Sequence, residues 1–383
     1  MSKYKSFSIH QTIYKCRRAI TAVTAGITAA ALPLAVLGAG AVGAAIFKVS
    51  QFSANMMLPT SATQSESVFP QESQSVSSDN IVSSEDETLK KASGGNDSDT
   101  SSTESEDTVS SEEEKNTDSK RGKVKEVQIK NSGVNYGNVY VKDGNSNYDV
   151  NIKKLLASSA KCKIKKNAGY QVLLVHTHTT EGYADKDKDW YSKSYNPRTT
   201  DKSESVVAVA DEIEKQLNAA GIKTLHVTTY HDYPEYTGAY NRARETIKSY
   251  LKKYPSIEMV IDVHRDSMTQ EDGTKLKPTT TIDGKKAAQV MIISGCDNDG
   301  KLNFSGWRDN LIIATQLQKQ MADDYKGLAR PLYFAPFRYN MDLTPNSLLI
   351  EFGTDVNTLE EAKYSGKLVG KSLVKTLEKY VVK

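Results

Sequence analysis

Cysteine is scarce in this chain of 383 residues: three, at Cys16, Cys162 and Cys296. They form neither a disulfide framework nor a Cys-x-x-Cys motif. Cys162 and Cys296 are free to pair with each other, but spacing alone does not establish disulfide geometry. The hydrophobic fraction, 38%, is low for a wholly globular chain, so part of the sequence is expected to stay unfolded. No Walker A loop, no His-Glu-x-x-His and no Gly-x-Ser-x-Gly elbow occurs, which removes P-loop, zincin and serine α/β-hydrolase readings. Histidine is limited to six residues, and that scarcity makes their placement informative.

The net charge of +3 conceals three unlike segments. Residues 1–60 carry six Lys/Arg and no acid, residues 61–119 carry fifteen acids against three bases, and the remainder is left at +9. A basic folded part suits an anionic polymer, either cell wall or nucleic acid. The 29 residues Ala19–Phe47 contain no charge, more than the roughly 20 needed to span a bilayer. Lys3, Lys5, Lys15, Arg17 and Arg18 precede them, so the positive-inside rule puts 1–18 in the cytoplasm and all that follows outside. A retained single-pass anchor over 19–47 is the expectation; a cleaved signal peptide is the alternative. Residues 48–122 are acidic and Ser-rich with few aromatics, a composition that cannot offset its ordering entropy and predicts a disordered, self-repelling tether.

A globular domain is expected over 123–383. Val172-Leu-Leu-Val175, Met259-Val-Ile-Asp-Val263, Val290-Met-Ile-Ile293 and Leu348-Leu-Ile350 are short apolar runs, and Ile222 to Thr229 is a further strand. Val206, Ala210, Ile213, Leu217 and Ala220 recur at helical spacing before Gly221. Helices are also predicted from Arg242 to Lys253, from Leu311 to Tyr325 and from Thr358, where Glu361 completes a capping box. Strands alternating with helices predict an α/β fold with a mainly parallel central sheet covered on both faces.

Three of the histidines stand at or beyond the ends of expected core strands: His176 and His178 after Val175, and His264 after Val263. Glu351 bears the same relation to Ile350. In open α/β sheets ligands bind outside the carboxyl ends of the strands, so imidazoles and carboxylates from three strands can converge on one edge. Such a set suits a catalytic zinc with three protein ligands and an open position for water, plus a free carboxylate to take the water's proton. Mixed His/carboxylate ligation also admits other divalent ions. A strand-end His is by itself more often a packed or surface residue; the combination is what points to a metal. A nucleic-acid binder fits the charge but lacks interleaved basic and aromatic motifs.

His176-Thr-His-Thr-Thr-Glu181, Val260-Ile-Asp-Val-His-Arg-Asp-Ser267, Tyr339-Asn-Met-Asp-Leu343 and Leu349-Ile-Glu-Phe-Gly353 resemble motifs of the stage II sporulation protein P (SpoIIP) family, over roughly residues 165–380. That family is related to the zinc N-acetylmuramoyl-L-alanine amidases of the Amidase_3 type. The resemblance implies an amidase-like α/β fold, Zn2+, cleavage of the muramic acid–L-alanine amide in peptidoglycan, and endopeptidase action on cross-links. It also implies work at the septal membrane in forespore engulfment, beside a SpoIID-type lytic transglycosylase and a SpoIIM-type membrane protein. By the same resemblance His178 and His264 are metal ligands and Glu351 is the catalytic carboxylate. The third ligand is Glu181, in the tighter motif, or Glu204, at the start of the next helix. His176, Arg265, Asp266, Asn340 and Asp342 are candidates for supporting or substrate-binding roles. Their plainer readings are a histidine held by backbone, an Arg265–Asp266 ion pair, and a turn before Pro345. Trp190, Tyr191 and the segment Tyr230-His-Asp-Tyr-Pro234 are either cleft residues or loop pins. Competing functions are a zinc carboxypeptidase on stem peptides and a catalytically silent wall-binding scaffold.

Overall fold

The structure, a computed structural model, describes residues 120–382. The expected cytoplasmic N-terminus (1–18), the anchor (19–47) and the linker up to residue 119 lie outside the described residues. Strand β1 (Arg121–Val127) already begins within the last residues assigned to that linker. Among the described residues no helix is long and apolar enough to cross a membrane.

The larger sheet has eight strands, in the order β2 (Val134–Tyr136), β3 (Val139–Asp143), β11 (Leu332–Ala335), β10 (Val290–Gly295), β12 (Leu348–Thr354), β7 (Met259–Asp266), β4 (Val172–Val175) and β6 (Thr224–His226). A smaller sheet runs β5 (Trp190–Ser192), β1, β8 (Lys275–Ile282), β9 (Lys285–Ala288). The helices are α1 (Ile152–Ala157), α2 (Val206–Ala219), α3 (Ala239–Lys253), α4 (Trp307–Asp324) and α5 (Leu359–Glu378).

The α/β class is as expected, but the large sheet is mixed rather than mainly parallel. β12, β7, β4 and β6 run parallel. β10 is antiparallel to β12, and β11 and β3 follow β10. The connections give the reason. Parallel neighbours need a crossover that carries the chain back across the sheet. Helices α2, α3 and α4 supply it between β4 and β6, β6 and β7, and β10 and β11. Between β7 and β10 stands the β8–β9 hairpin instead, and between β11 and β12 only a loop. The chain therefore re-enters the sheet from the edge it has just left, and its direction reverses.

Side chains alternate across a strand. Val172 and Leu174 of β4 enter the larger core with residues of α2, α4 and α5, whereas Leu173 and Val175 enter a smaller core with Ile247 of α3. Apolar matter on both faces is why the strand reads as an unbroken hydrophobic run. Helix α5 begins as predicted: the Thr358 side chain caps the Glu361 amide and Glu361 reciprocates. It lies tightly on α2, and a Cβ added at Gly366 would stand 2.6 Å from the Val209 carbonyl oxygen.

The smaller sheet was not foreseen. β8 carries Lys277, 1% exposed, inside a Thr-rich stretch with no regular apolar alternation. Its ammonium is satisfied by Asp187, Glu126 and Glu361, so a residue that reads as surface is enclosed by acids from three segments. Cys162 and Cys296 are both buried free thiols.

Candidate active site

Because β4, β6, β7 and β12 are parallel, their carboxyl ends share one edge, and the candidate residues gather there. His176 and His178 follow β4, whereas His264 lies within β7. Glu351 lies inside β12 rather than just beyond it, in register with His264. The ladder loses register between Glu351 and Thr354, a bulge of the kind that re-aims side chains near functional sites.

Glu181 Oε2 is 3.3 Å from His264 Nδ1 and accepts the Arg265 backbone N–H at 3.1 Å. His264 Nε2 lies 2.9 Å from Asp262 Oδ1, outside hydrogen-bonding angles. Asp262 is fixed by the amide and hydroxyl of Thr177, at 2.8 and 2.5 Å. Burial opposes charge on His264, but Asp262 and Glu181 on either side of the ring raise its pKa well above the ordinary histidine range. Glu181 is held the opposite way: burial works against its charge, and His264 brings its carboxyl far below the usual range.

The His178 ring stands at 83° to that of His264, with centroids 5.4 Å apart. Its Nδ1 is buried without a hydrogen-bond partner and lies 4.0 Å from Asp232 Oδ2. Tyr236 stacks on it at 4.8 Å and 11°, with the hydroxyl 3.3 Å from Nε2. Burial lowers the His178 pKa to about 4. Glu351 keeps some solvent contact as a residue, but its Oε2 is shielded and unpartnered. Burial first, then the negative charge of Asp266, pushes its carboxyl up to about 8.

The two candidates for a third ligand are separated in space. Glu181 is buried against His264, whereas Glu204 is exposed in a short 3-10 turn before α2.

His176 takes the backbone-held place. Its Nδ1 is 3.0 Å from the Val263 carbonyl and its Nε2 is 2.8 Å from His226 Nε2. The carbonyl only accepts, so His176 Nδ1 carries the proton and its Nε2 accepts from His226. His226 Nδ1 faces Asp211 at 3.0 Å and Glu214 at 3.7 Å, and these carboxylates overcome burial to raise its pKa. Asp211, Glu214 and His226 are the tightest His/carboxylate group among the described residues. An imidazolium on His226 satisfies all three, which accounts for the group without an ion.

The Arg265 side chain makes no ion pair with the Asp266 carboxylate. Its guanidinium donates to the carbonyls of Gly182, Pro197 and Asp266, which spends its donors on backbone and pins two loops. Asp266 pairs instead with Arg330 at 2.9 Å. Asn340 and Asp342 are held by Arg244 in a loop where Tyr339 and Asn340 have positive φ, which is the turn reading. Trp190 and Tyr191 form edge strand β5; Arg121 lies over Trp190 and the Tyr191 hydroxyl donates to Gly273. They are pins.

Sequence reasoning left Asp262, Asp232, Tyr236, Arg198 and His226 unassigned. Asp262 was accessible, since a residue two before His264 shares its face of the strand. Asp232 lies in the segment after β6 suspected of nearing the cleft. No local signal marks Arg198 or Tyr236.

An α/β sheet that gathers two histidines and two carboxylates at its carboxyl edge defines a strand-edge His/carboxylate protein. The profile of the stage II sporulation protein P family matches residues 52–374, and the chain belongs to that family. It is 30% identical over 210 residues to the stage II sporulation protein P of Bacillus subtilis strain 168; the match spans 50% of this chain and 47% of that protein. Among solved structures, the CwlD amidase of Clostridioides difficile, in complex with the GerS lipoprotein, aligns at 11% identity and a TM-score of 0.35, covering 56% of this chain and 98% of that one. An N-acetylmuramoyl-L-alanine amidase of Clostridium difficile 630 aligns at 12% identity and 0.32, covering 56% and 97%. AmiC2 of Nostoc punctiforme, also an N-acetylmuramoyl-L-alanine amidase, aligns at 9% and 0.31, covering 55% and 96%.

Proposed function

We propose that this chain is a membrane-anchored, zinc-dependent peptidoglycan amidase of sporulation, cutting the N-acetylmuramoyl–L-alanine bond, with endopeptidase action on cross-linked stems. One observation carries the reading. His178 Nδ1 and Glu351 Oε2 are buried polar atoms without hydrogen-bond partners, on the sheet edge where His264 Nδ1 and Glu181 Oε2 meet at 3.3 Å and the His178 and His264 rings are 5.4 Å apart. Buried polar groups are normally satisfied, and an orphan calls for an absent ligand. Family membership supports the same reading.

The donor set fits a divalent cation: His178, Glu181 and His264 would hold it, and Asp262, on His264 Nε2 at 2.9 Å, backs that ring as carboxylates back ligating histidines. Bound there, zinc supplies an activated water and polarisation of the scissile carbonyl. Metal binding requires loss of the proton that Asp262 and Glu181 otherwise keep on His264. Glu351 takes a proton from the attacking water and returns it to the leaving amine, and its raised pKa suits a group that must both gain and release a proton near neutrality. Arg265 keeps Glu181 aimed through its backbone N–H. The N-terminal apolar stretch holds the enzyme at the septal membrane, with a SpoIID-type transglycosylase and a SpoIIM-type membrane protein as its partners.

The test is digestion of purified peptidoglycan by the full-length protein, with and without chelator, beside Glu351→Gln and His178→Ala, with fragments read by mass spectrometry. Released stem peptides that vanish with chelator, return with zinc and are absent from both variants are expected. Wild-type protein that pellets with the wall but releases nothing, even with zinc and the transglycosylase present, would leave the scaffold reading instead.

A further inference from the structure

We propose that Arg198 forms a carboxylate-binding subsite at the mouth of the site, taking an acidic group on the peptide side of the scissile amide. The inference rests on the amidase reading above. Arg198 is the antiparallel β-bridge partner of Glu181, so its backbone is fixed beside a candidate metal ligand. Its guanidinium lies 4.5 Å over the Tyr236 ring, and Tyr236 is the residue stacked on His178. The cation is thus one aromatic ring removed from the candidate metal centre.

Only part of the guanidinium is spent. Nη1 donates to Asp232 Oδ2 at 2.7 Å and to Thr180 Oγ1 at 3.1 Å. Asp232 is wholly buried and further held by the Thr180 amide and hydroxyl, so this arm is anchored. The Nε and Nη2 donors have no hydrogen-bond partner among the described residues, and the side chain is 32% exposed. An anchored guanidinium with its Nε–Nη2 edge free is the arrangement that takes a carboxylate in a two-pronged grip, with little further side-chain entropy to lose.

The neighbouring arginines are committed elsewhere. Arg265 is turned onto carbonyls, Arg330 pairs with Asp266 and Arg244 grips Asp342 with both arms. His178 and Glu351 retain some solvent contact, and Arg198, itself partly exposed, reaches His178 through the Tyr236 ring. Peptidoglycan stems provide a matching group: the α-carboxylate of the γ-linked D-glutamyl residue is one residue from the muramoyl–alanine amide.

The experiment uses full-length, zinc-loaded protein in detergent and two ligand pairs. One pair is a soluble muropeptide with the D-glutamyl α-carboxylate free, and its carboxamide twin. The other is the corresponding L-alanyl-γ-D-glutamyl peptide, which lacks the acyl–alanine amide, in the same two forms, read by calorimetric binding. Arg198→Gln should weaken binding of the acid peptide and raise its KM about 10- to 100-fold, as expected for a lost charge-assisted hydrogen bond, with kcat changed far less. The carboxamide should respond little, and Arg198→Lys should recover part of the effect. Equal losses on acid and amide, or a fall in kcat alone, would reduce Arg198 to a support for Asp232 and overturn the subsite. If the wild type cleaves neither muropeptide yet binds the acid peptide through Arg198, the amidase reading fails and the subsite stands. Cleavage indifferent to the carboxylate, or wild-type binding of neither peptide, sinks the subsite itself.

Discussion

Glu351 and His264 are register partners in the parallel ladder between β12 and β7. Register partners project to the same face of a sheet, about 5 Å apart, so a carboxylate and an imidazole from strands 87 residues apart in sequence become neighbours through backbone pairing alone. The carboxyl is pushed up to about 8, by burial first and Asp266 second. Glu351→Gln keeps the shape, removes proton transfer and removes a buried ionisable group. Hydrolysis of peptidoglycan is expected to fall by about 10²- to 10⁴-fold, with a melting temperature equal to or above that of the wild type. A variant that melts far lower would point to a structural carboxylate.

Asp262 backs His264 and is anchored by Thr177. Asp262→Asn can still accept from Thr177 but no longer presents a charge to the ring. Outer carboxylates of this kind contribute about 10- to 100-fold to metal affinity. Competition with a chromophoric chelator should show zinc lost from the variant at correspondingly lower chelator concentration, with the circular dichroism spectrum unchanged.

Gly366 lets α5 approach α2 closely. Gly366→Ala gains helix propensity, but its methyl meets the Val209 carbonyl, a backbone atom that cannot swing aside. Overpacking of this kind costs about 1–3 kcal/mol, or a fall of roughly 2–4 °C in melting temperature per kcal/mol for a domain of this size. Calorimetry decides the sign.

The Cys162 and Cys296 thiols are pushed up to about 12, chiefly by burial. A thiol-specific reagent at pH 8 should label neither residue in the folded domain and both in denaturant. A raised folded-state value means that the native state keeps its protons longer than the unfolded chain does. This contribution to stability is therefore complete below the ordinary thiol pKa and fades as pH climbs toward about 12. Between pH 9 and 12 the melting temperature should fall less steeply when Cys162→Ala and Cys296→Ala are combined.

The sequence made β4, β7 and β12 legible because each is largely buried on both faces and contains an apolar run; β6, half-buried, does not read that way. The sequence also made the α5 cap legible, because the Thr358/Glu361 pair is a local signal. The direction of β10 was not accessible. It depends on a hairpin occupying the place of a crossover helix, and β8 is disguised by threonines and by Lys277, whose burial is made tolerable by acids scattered from residue 126 to residue 361.

At the site, strand-end position pointed to His178, His264 and Glu351, and the structure brings them together. It could not separate Glu181 from Glu204, since the difference is tertiary: one packs under the Arg265 backbone and the other faces solvent. Nor could it foresee that Arg265 would be consumed by carbonyls while Arg198, 67 residues earlier, kept an open edge. Unpaired donors are a property of the assembled loops, invisible to spacing.

β1 is an interior strand of the small sheet, paired with β5 through residues 121–123 and with β8 through residues 124–127. It is the first strand of the described residues. A load applied at residue 121 would therefore enter along a strand gripped on both flanks. The first bonds to feel it belong to β5, in a sheet separate from the one that carries His264 and Glu351. A pull on Arg121 would load the small sheet while the strands that hold the candidate site stay slack.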